Sequence, residues 1–275
     1  MSPSIWRPAL ADLFNWRTRA VFTRNAQVYL RNWRTAFLPP ALEPIMSLVA
    51  FGIGLGAYVG GMKWHGATID YISYMAPGLV AQTVFATPFF EALYSSYVRM
   101  FYQKTWDGLL STQVELRHIV WAEITWASAR GMMNALLVCT VLFFANFFGV
   151  LHIHAGWLPL LPVIGFLVGC GFAAFGLCFT AIVPSIDHMN FPTFLVGMPL
   201  GLISNTYFPI DPHNVWLFRF MQLNPIYHLA ETYRGLLIGN APDEHVFWLI
   251  GVGGGWLLLL AALAQGLIHR RVLSE

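Results

Sequence analysis

The segment WLPLLPVIGFLVGCGFAAFGLCFTAIV, residues 157–183, contains no charged side chain. A helix of about 20 apolar residues crosses the roughly 30 Å hydrocarbon core of a bilayer. Five further apolar segments lie at 38–59, 71–94, 119–148, 190–208 and 246–268. The whole chain of 275 residues is 57% hydrophobic and 10% charged, whereas a soluble domain has about 25% charged residues. The sequence therefore predicts an all-α integral membrane protein with six transmembrane helices.

The positions of the basic residues predict the orientation of these helices. Most of the 15 Lys and Arg residues lie before the first segment, between the second and third, or after the last. This group comprises Arg7, Arg17, Arg19, Arg24, Arg31, Arg34, Arg99, Lys104, Arg117, Arg270 and Arg271. Basic loops stay on the cytoplasmic side, so we predict a multi-pass protein with both termini in the cytoplasm. The net charge of +2 then reflects topology, and no nucleic-acid partner is predicted.

Residues 1–37 are predicted to form a cytoplasmic N-terminus with an amphipathic helix over 12–37. Apolar residues recur there at steps of three and four, and arginines recur every seven residues on another face. The two sets are Phe22, Ala26, Tyr29, Trp33 and Phe37, and Arg17, Arg24 and Arg31. This pattern is typical of a helix lying in the membrane interface, with arginines toward lipid phosphates and aromatic rings toward acyl chains. The alternative is a cytosolic helix that packs on a partner subunit.

Two connecting regions carry helix signals of their own. The cytoplasmic loop at about 99–118 is predicted to be an elbow with a short helix near 103–111, a turn at Asp107-Gly108 and a capping box from Thr112 to Glu115. The last external region, about 212–239, is predicted to hold two short helices, 213–223 and 226–238. Both are too short to cross a bilayer, so we predict that they re-enter the outer leaflet, where protein or water must cover their backbone.

Glycines spaced four residues apart predict close contacts between membrane helices. The pairs are Gly52/Gly56, Gly56/Gly60, Gly165/Gly169, Gly197/Gly201 and Gly251/Gly255.

Four ionisable residues in or beside the predicted spans are candidates for a polar site: Glu43, Glu91, Glu123 and Arg130. Arg130 follows Glu123 by seven residues and shares its helix face. One interpretation is internal pairing, of Arg130 with Glu91 or Glu123 and of Glu43 with an N-terminal arginine, because an unpaired buried charge costs several kcal/mol. The other is a site that binds an acidic or sugar headgroup at the inner leaflet.

The sequence predicts neither a nucleotide site nor a metal site within this chain. A phosphate-binding loop needs a lysine after glycine, and neither Lys63 nor Lys104 follows one. If ATP drives this protein, another chain hydrolyses it. His152-x-His154 offers two metal ligands without a third, and the acyltransferase-like spacing of His65 and Asp70 lies beside flexible glycines on the external face. We predict no catalytic residue.

Several motifs resemble those of type-2 ABC exporter permeases. The run YFPIDPHNVWLFRFMQLNPIYHLAETYRG, 207–235, is similar to the late signature of that superfamily. Its marked residues are Phe208, Pro209, Asn224, Pro225, His228, Glu231 and Arg234. A narrower resemblance, to the NodJ family, extends through nearly the whole chain. It is carried by Leu42-Glu43-Pro44, Ala76-Pro77-Gly78-Leu79-Val80, Phe90-Glu91-Ala92-Leu93-Tyr94 and Lys104-Thr105-Trp106-Asp107-Gly108.

The resemblance implies an architecture and partners. Residues 38–275 would be a six-span transmembrane domain in the bacterial inner membrane, surrounded by membrane lipids. Two copies would assemble with two copies of a NodI-like ATPase, which would bind ATP and Mg in place of this chain. The NodJ family is associated with export of lipo-chitooligosaccharide nodulation factors, so an amphiphilic glycolipid is the implied cargo.

The resemblance also implies a coupling elbow that docks on the ATPase, with Trp106 as its anchor. The elbow residues are Lys104, Thr105, Trp106, Asp107, Gly108 and Leu109. Two other protein classes remain as alternatives. An ion-coupled secondary transporter would need inverted repeats and ionisable residues at the bilayer midplane. An intramembrane lipid- or glycan-modifying enzyme would need aligned catalytic groups at depth.

Overall fold

The structure, a computed structural model, describes residues 10–33, 42–43, 45–209 and 214–274. It is mainly helical, with one two-stranded hairpin. The first elements in chain order are α1 Trp16–Arg31, α2 Leu48–Leu55 with Gly56–Val59, β1 Gly61–Trp64, β2 Ala67–Asp70 and α3 Tyr71–Phe90. They are followed by α4 Thr105–Leu110, α5 Leu116–Phe147, α6 Leu160–Ile182, and α7, which comprises Asn190–Pro192, Thr193–Gly197 and Met198–Leu202. The last elements are α8 Val215–Gln222, α9 Pro225–Leu237, and α10, which comprises His245–Trp248, Leu249–Gly253 and Gly254–Ser274. Single 3-10 turns occur at Leu10–Phe14, Ala155–Trp157 and Ile186–Met189.

Three helices in the described part of the chain are long and apolar enough to cross a membrane. They are Leu116–Phe147, Leu160–Ile182 and His245–Val272, and they coincide with predicted segments at 119–148, 157–183 and 246–268. The prediction of a helical membrane protein is therefore confirmed. The described residues contain three candidate spans, fewer than the six predicted.

The other predicted spans take different forms. α7 covers 190–202 with its π-helical middle, a length of about 20 Å at 1.5 Å per residue, and the positive φ of Asn205, 58°, follows its end. The first predicted segment, 38–59, is described from residue 45 onward together with 42–43, and its residues 38–41 and 44 lie outside the described residues. α3 has 20 residues and continues through two π-helical stretches, Glu91–Ser95 and Val98–Tyr102.

The hairpin β1–β2 is an element that the sequence analysis missed. Its strands pair antiparallel, with Trp64 opposite Ala67. The intervening His65 and Gly66 both have positive φ, 47° and 82°, as the tight turns that fit the twist of a hairpin require.

α3 lies at the centre of the fold and packs against α5, α6 and α9. Its Met75, Phe85 and Phe89 are fully buried. The ring of Phe85 meets that of Phe172 of α6 edge-on at 5.1 Å between centroids. Pro88 lacks the N–H that would bond to Val84 in a regular α-helix, and the π-helical geometry begins three residues later.

Two of the predicted glycine pairs lie at tight helix contacts. On α6, a Cβ at Gly165 would lie 2.6 Å from Val84 Cγ2, and one at Gly169 would lie 2.6 Å from Ser128 Oγ. On α7, a Cβ at Gly197 would lie 2.9 Å from Phe89 Cε1, and one at Gly201 would lie 2.6 Å from Gln82 Nε2. By contrast, no described atom lies within 4 Å of a Cβ built at Gly251 or Gly255.

Gly176 supplies a test of this packing. A Cβ there would lie 2.5 Å from the carbonyl oxygen of Phe89, a backbone atom that cannot rotate away. We expect Gly176→Ala to reduce the free energy of unfolding by about 1–3 kcal/mol, and Gly251→Ala to leave it within about 0.5 kcal/mol. Thermal unfolding of the purified variants measures both, and equal stability of the two would contradict the packing described.

The N-terminal helix α1 is amphipathic, but its aromatic face differs from the prediction. Phe22 and Tyr29 both contact the ring of Trp126 on α5, each at 5.6 Å between centroids. These rings therefore pack on the protein itself, and the expectation that they face acyl chains is wrong for both. Apolar side chains on other faces of α1, Val28 and Leu30, are exposed and remain available to lipid.

Candidate transport site and coupling elbow

A cluster of buried charges lies where α3 passes into its π-helical extension. Glu91 and Glu123 are almost fully buried, with side chains 3% and 1% exposed. Arg99 bridges them: its Nη1 donates to Glu91 Oε1 at 3.0 Å and its Nε donates to Glu123 Oε1 at 3.0 Å. The Arg99 Nη2 also donates to the second oxygen of Glu123. One guanidinium thus holds two carboxylates that lie on different helices.

Arg130 closes the cluster from α5. It forms an ion pair with Glu91, and its guanidinium lies 5.0 Å from the centre of the Tyr29 ring. Each carboxylate also accepts a hydrogen bond from a neutral side chain: Trp126 Nε1 donates to Glu91 at 3.2 Å, and Ser96 Oγ donates to Glu123 at 2.9 Å. Two arginines therefore balance two glutamates, which lowers the cost of burying them.

A cavity of about 470 Å³ opens beside this cluster. Glu43, Glu91 and Arg130 line it, whereas Glu123 does not and joins it only through Arg99. The rest of the wall is of two kinds. Polar groups come from Ser47, Gln82, Thr83, Thr87, Tyr94, Ser95 and Tyr207, and apolar ones from Leu79, Ala86 and Phe90. A wall of both kinds is suited to a molecule that is itself amphiphilic.

Glu43 lies on the open side of the cavity with an exposed side chain. Its predicted pairing with an N-terminal arginine is not present among the described residues. Arg7 and Arg34, two of the arginines that the prediction included, lie outside the described residues.

Arg99 is the residue of this cluster that sequence reasoning missed. It was assigned to the cytoplasmic loop, as one of the residues that orient the protein. Arg99 lies eight residues after Glu91 in the sequence, and the helix that carries Glu91 continues past the predicted end of the span. That spacing along one helix is the sequence feature from which their contact could have been predicted.

The elbow region, about 99–118, contains the short helix predicted there. Lys104 turns the chain with φ at 50°, and α4 follows from Thr105 to Leu110. Asp107 and Gly108 lie inside this helix, so the predicted turn at that position is wrong. The exposed surface of α4 carries Lys104 and Asp107, whose side chains are 63% and 65% exposed and lie 3.9 Å apart.

The side chain of Trp106 points away from the exposed surface that carries Lys104 and Asp107. It is 1% exposed and packs in a buried cluster with Ile119, Val120 and Trp121 of α5. The expectation that its ring anchors a partner subunit is therefore wrong, because that ring is buried inside this chain. Its position fixes α4 to the first turns of the long helix α5.

The start of α5 also differs from the predicted capping box. Glu115, rather than Thr112, is the N-cap residue of α5, and its backbone N–H donates to His118 Nδ1 at 3.2 Å. Thr112 instead donates to the carbonyl of Leu109 at 2.7 Å and so ends α4. Arg17 of α1 reaches the Glu115 carboxylate at 3.1 Å, which joins α1 to the elbow.

In the region predicted to be external, Arg234 of α9 is completely buried. It forms an ion pair with Glu231 and donates to the carbonyl oxygens of Tyr74, at 3.0 Å, and Thr206, at 3.2 Å. Its guanidinium also lies 4.0 Å from the centre of the Tyr74 ring. Trp64 of the hairpin donates to Glu231 at 3.1 Å. One buried ion pair thus fastens α9 to α3, to the hairpin and to the end of α7.

The two short helices of this region were predicted close to their observed bounds. Asn224 caps α9 by accepting from Ile226 N at 3.0 Å, and Pro225 is its first residue. The Asn224 amide also donates to the carbonyl of Leu200 at 2.8 Å. The imidazole of His228 lies 3.1 Å from that of His245, between their Nδ1 atoms.

Phe208 and Pro209 lie at the exposed edge of this region. The Phe208 ring is stacked on that of Tyr71, with 6.2 Å between centroids. On the same side His152 lies 3.9 Å from Asp70, and both side chains are exposed.

Comparison with known proteins places this arrangement in a family. The ABC-2 type transporter family matches residues 17–238. Nodulation protein J of Rhizobium leguminosarum bv. trifolii is 30% identical over 257 residues, 92% of this chain and 93% of that protein. Nodulation protein J of Rhizobium meliloti (strain 1021) is 27% identical, over 98% of this chain and 100% of that protein. The inner membrane transport permease YadH of Escherichia coli (strain K12) is 23% identical over 80% of this chain and 82% of its own. The chain is therefore a membrane permease of the ABC-2 type transporter family, which implies an ABC ATPase subunit as its partner.

Proposed function

We propose that this permease exports a lipid-linked saccharide, similar to a lipooligosaccharide, from the inner leaflet outward. The observation that carries the proposal is the 470 Å³ cavity. At one end the polar groups of Glu91 and Arg130 are available to a sugar or acidic headgroup, and Leu79 and Phe90 offer an apolar wall to a lipid chain. The similarity to proteins named Nodulation protein J supports a cargo of this class.

The proposed assembly contains two copies of this chain and two copies of a NodI-like ATPase, which binds ATP and Mg. Each permease copy crosses the inner membrane six times, with both termini in the cytoplasm, and α8 and α9 re-enter from the external side. The complete burial of α9 along its length supports re-entry, since backbone at membrane depth must be covered by protein.

The proposed coupling runs through the elbow. The exposed side of α4, with Lys104 and Asp107, contacts the ATPase. Because Trp106 is packed against the first turns of α5, a displacement of α4 moves α5 as well. That helix carries Glu123 and Arg130, so the motion reaches the charge cluster and the cavity beside it.

Transport in proteoliposomes tests this proposal. The full complex is reconstituted, and ATP hydrolysis and movement of a fluorescent N-acylated chitooligosaccharide are measured together. We expect Lys104→Ala with Asp107→Ala to reduce transport per ATP about tenfold, within the range of coupling energies between sites, while the protein remains inserted. The matched control is Arg19→Ala with Asp187→Ala, which also removes one exposed charge of each sign and leaves the ratio unchanged.

The possible outcomes separate the parts of the proposal. Unchanged coupling in the elbow variant contradicts the elbow assignment. Failure of the wild-type complex to move the probe contradicts the cargo class. Movement driven by an ion gradient without the ATPase would instead support a secondary transporter.

A further inference from the structure

A second cavity, of about 290 Å³, lies between α1 and the cytoplasmic end of the α3 extension. Its wall includes Arg24 and Asn25 of α1 together with Tyr94, Arg99 and Gln103. Tyr94 also lines the larger cavity, so the two are neighbours separated by the charge cluster.

The charges around this smaller cavity do not balance. Arg99 and Arg130 are paired with Glu91 and Glu123, which leaves Arg24 as an additional cation. In the described part of the chain, no carboxylate lies within ion-pair distance of Arg24. Its guanidinium donates to two neutral oxygens, Asn25 Oδ1 at 3.0 Å and Thr105 Oγ1 at 3.3 Å.

The surroundings of Arg24 disfavour its positive charge. Burial, together with the nearby charge of Arg99, lowers the pKa of Arg24 below its ordinary value, although Glu123 opposes the shift. A partly desolvated guanidinium that faces a cavity is stabilised most strongly by an anion to which it can donate several hydrogen bonds. Phosphate oxygens have the geometry that an arginine binds best.

The mouth of the cavity points to the source of that phosphate. Val28, an apolar residue on the same wall, is 50% exposed. α1 therefore presents an apolar side chain beside a cationic pocket, which is the combination that a phospholipid requires: contact for its acyl chains and a charge for its headgroup.

We propose that the cavity between α1 and the elbow binds the phosphate of an anionic phospholipid from the inner leaflet, held by Arg24 and the side-chain amide of Gln103. Such a lipid would join α1 to the elbow, because Arg24 already contacts Thr105 at the start of α4. The inference is independent of the cargo proposed above.

The test uses the purified full-length chain in detergent, where the surface potential of a bilayer does not contribute. Intact mass spectrometry counts bound lipids during titration with short-chain phosphatidylglycerol and, separately, phosphatidylcholine. We expect preference for phosphatidylglycerol and an approximately tenfold loss of its apparent affinity in Arg24→Gln, since the variant removes hydrogen bonds from a charged donor to the phosphate. Arg19→Gln, an exposed arginine on the same helix, is the matched control and should change the affinity about twofold or less.

A second variant keeps the test decisive if Arg24→Gln does not remain monodisperse. Gln103 is exposed, and Gln103→Glu places a carboxylate beside Arg24, so it should also weaken phosphatidylglycerol binding. Equal binding of the two lipids by the wild type, or equal effects of Arg24→Gln and Arg19→Gln, would overturn the proposal. Displacement of the lipid by millimolar inorganic phosphate would also overturn it, by assigning the site to free phosphate.

Discussion

Replacing Arg99 by glutamine is expected to lower the free energy of unfolding by about 3–5 kcal/mol, the cost of leaving a buried ion partner uncompensated. Arg99 is the cation that joins Glu91 to Glu123, and Arg130 forms an ion pair with Glu91. The buried thiols of Cys139, Cys170 and Cys178 provide the measurement, because a thiol-reactive dye reports their exposure during heating.

Two further variants determine whether charge is the cause. Arg99→Gln combined with Glu123→Gln should recover part of the lost stability, since it removes a buried anion together with its cation. Arg117→Gln serves as the control, because Arg117 is 47% exposed and its shorter ion pair, at 2.9 Å, is with the exposed Glu115, whereas its pair with the largely buried Asp12 spans 3.6 Å. Surface pairs contribute about 0–1 kcal/mol. Equal losses in Arg99→Gln and Arg117→Gln would contradict a structural role for the cluster.

Replacing Arg234 by methionine is expected to have an effect of similar size, about 3–5 kcal/mol. The change leaves Glu231 buried without its cation and removes donors from the carbonyls of Tyr74 and Thr206. Arg234→Lys should recover little of this loss, because an ammonium cannot reproduce the planar set of donors of a guanidinium.

The control for Arg234 is Arg219→Met on the neighbouring helix α8, where the side chain is exposed. The same thiol-exposure measurement compares the two substitutions. If Arg234→Met were as stable as Arg219→Met, the buried ion pair would not be what fastens α9 to the rest of the fold.

The long helices could be predicted because each carries its own signal. The segment at 157–183 is apolar throughout and α6 occupies nearly all of it. α9 could be predicted because Pro225 marks one boundary of an apolar stretch and Gly239-Asn240 supplies a helix stop after it; in the structure Asn224 caps its first turn and Pro225 is its first residue. Such signals are local, so tertiary packing does not override them.

The charge cluster could be predicted only in part. An arginine near a carboxylate in a membrane segment indicates pairing, and Arg130 does contact Glu91. Arg99 also belongs to the cluster because α3 continues beyond the predicted membrane boundary in π-helical form. The stretch Glu91–Ser95 packs against α6, a contact that no pattern of hydrophobicity reveals.

Trp106 and the aromatic face of α1 illustrate the second limit. The sequence analysis interprets a tryptophan in a polar loop as a contact for a partner protein. In a helix as short as α4, however, the neighbouring helix α5 determines which way the Trp106 side chain points. Likewise, Phe22 and Tyr29 have the spacing of a lipid-facing stripe, but Trp126 offers them a protein surface. Periodicity identifies an apolar face without identifying what covers it.

The central claim is that this chain works only as the membrane half of a complex with an ATPase. Intact-complex mass spectrometry of the tagged full-length chain, co-expressed with its genomic neighbours and purified in mild detergent, tests that claim most directly. The account predicts two copies of this chain with two copies of the ATPase, and retained lipid in the same spectrum. A chain that purifies alone, under conditions that preserve other ABC complexes, would contradict it.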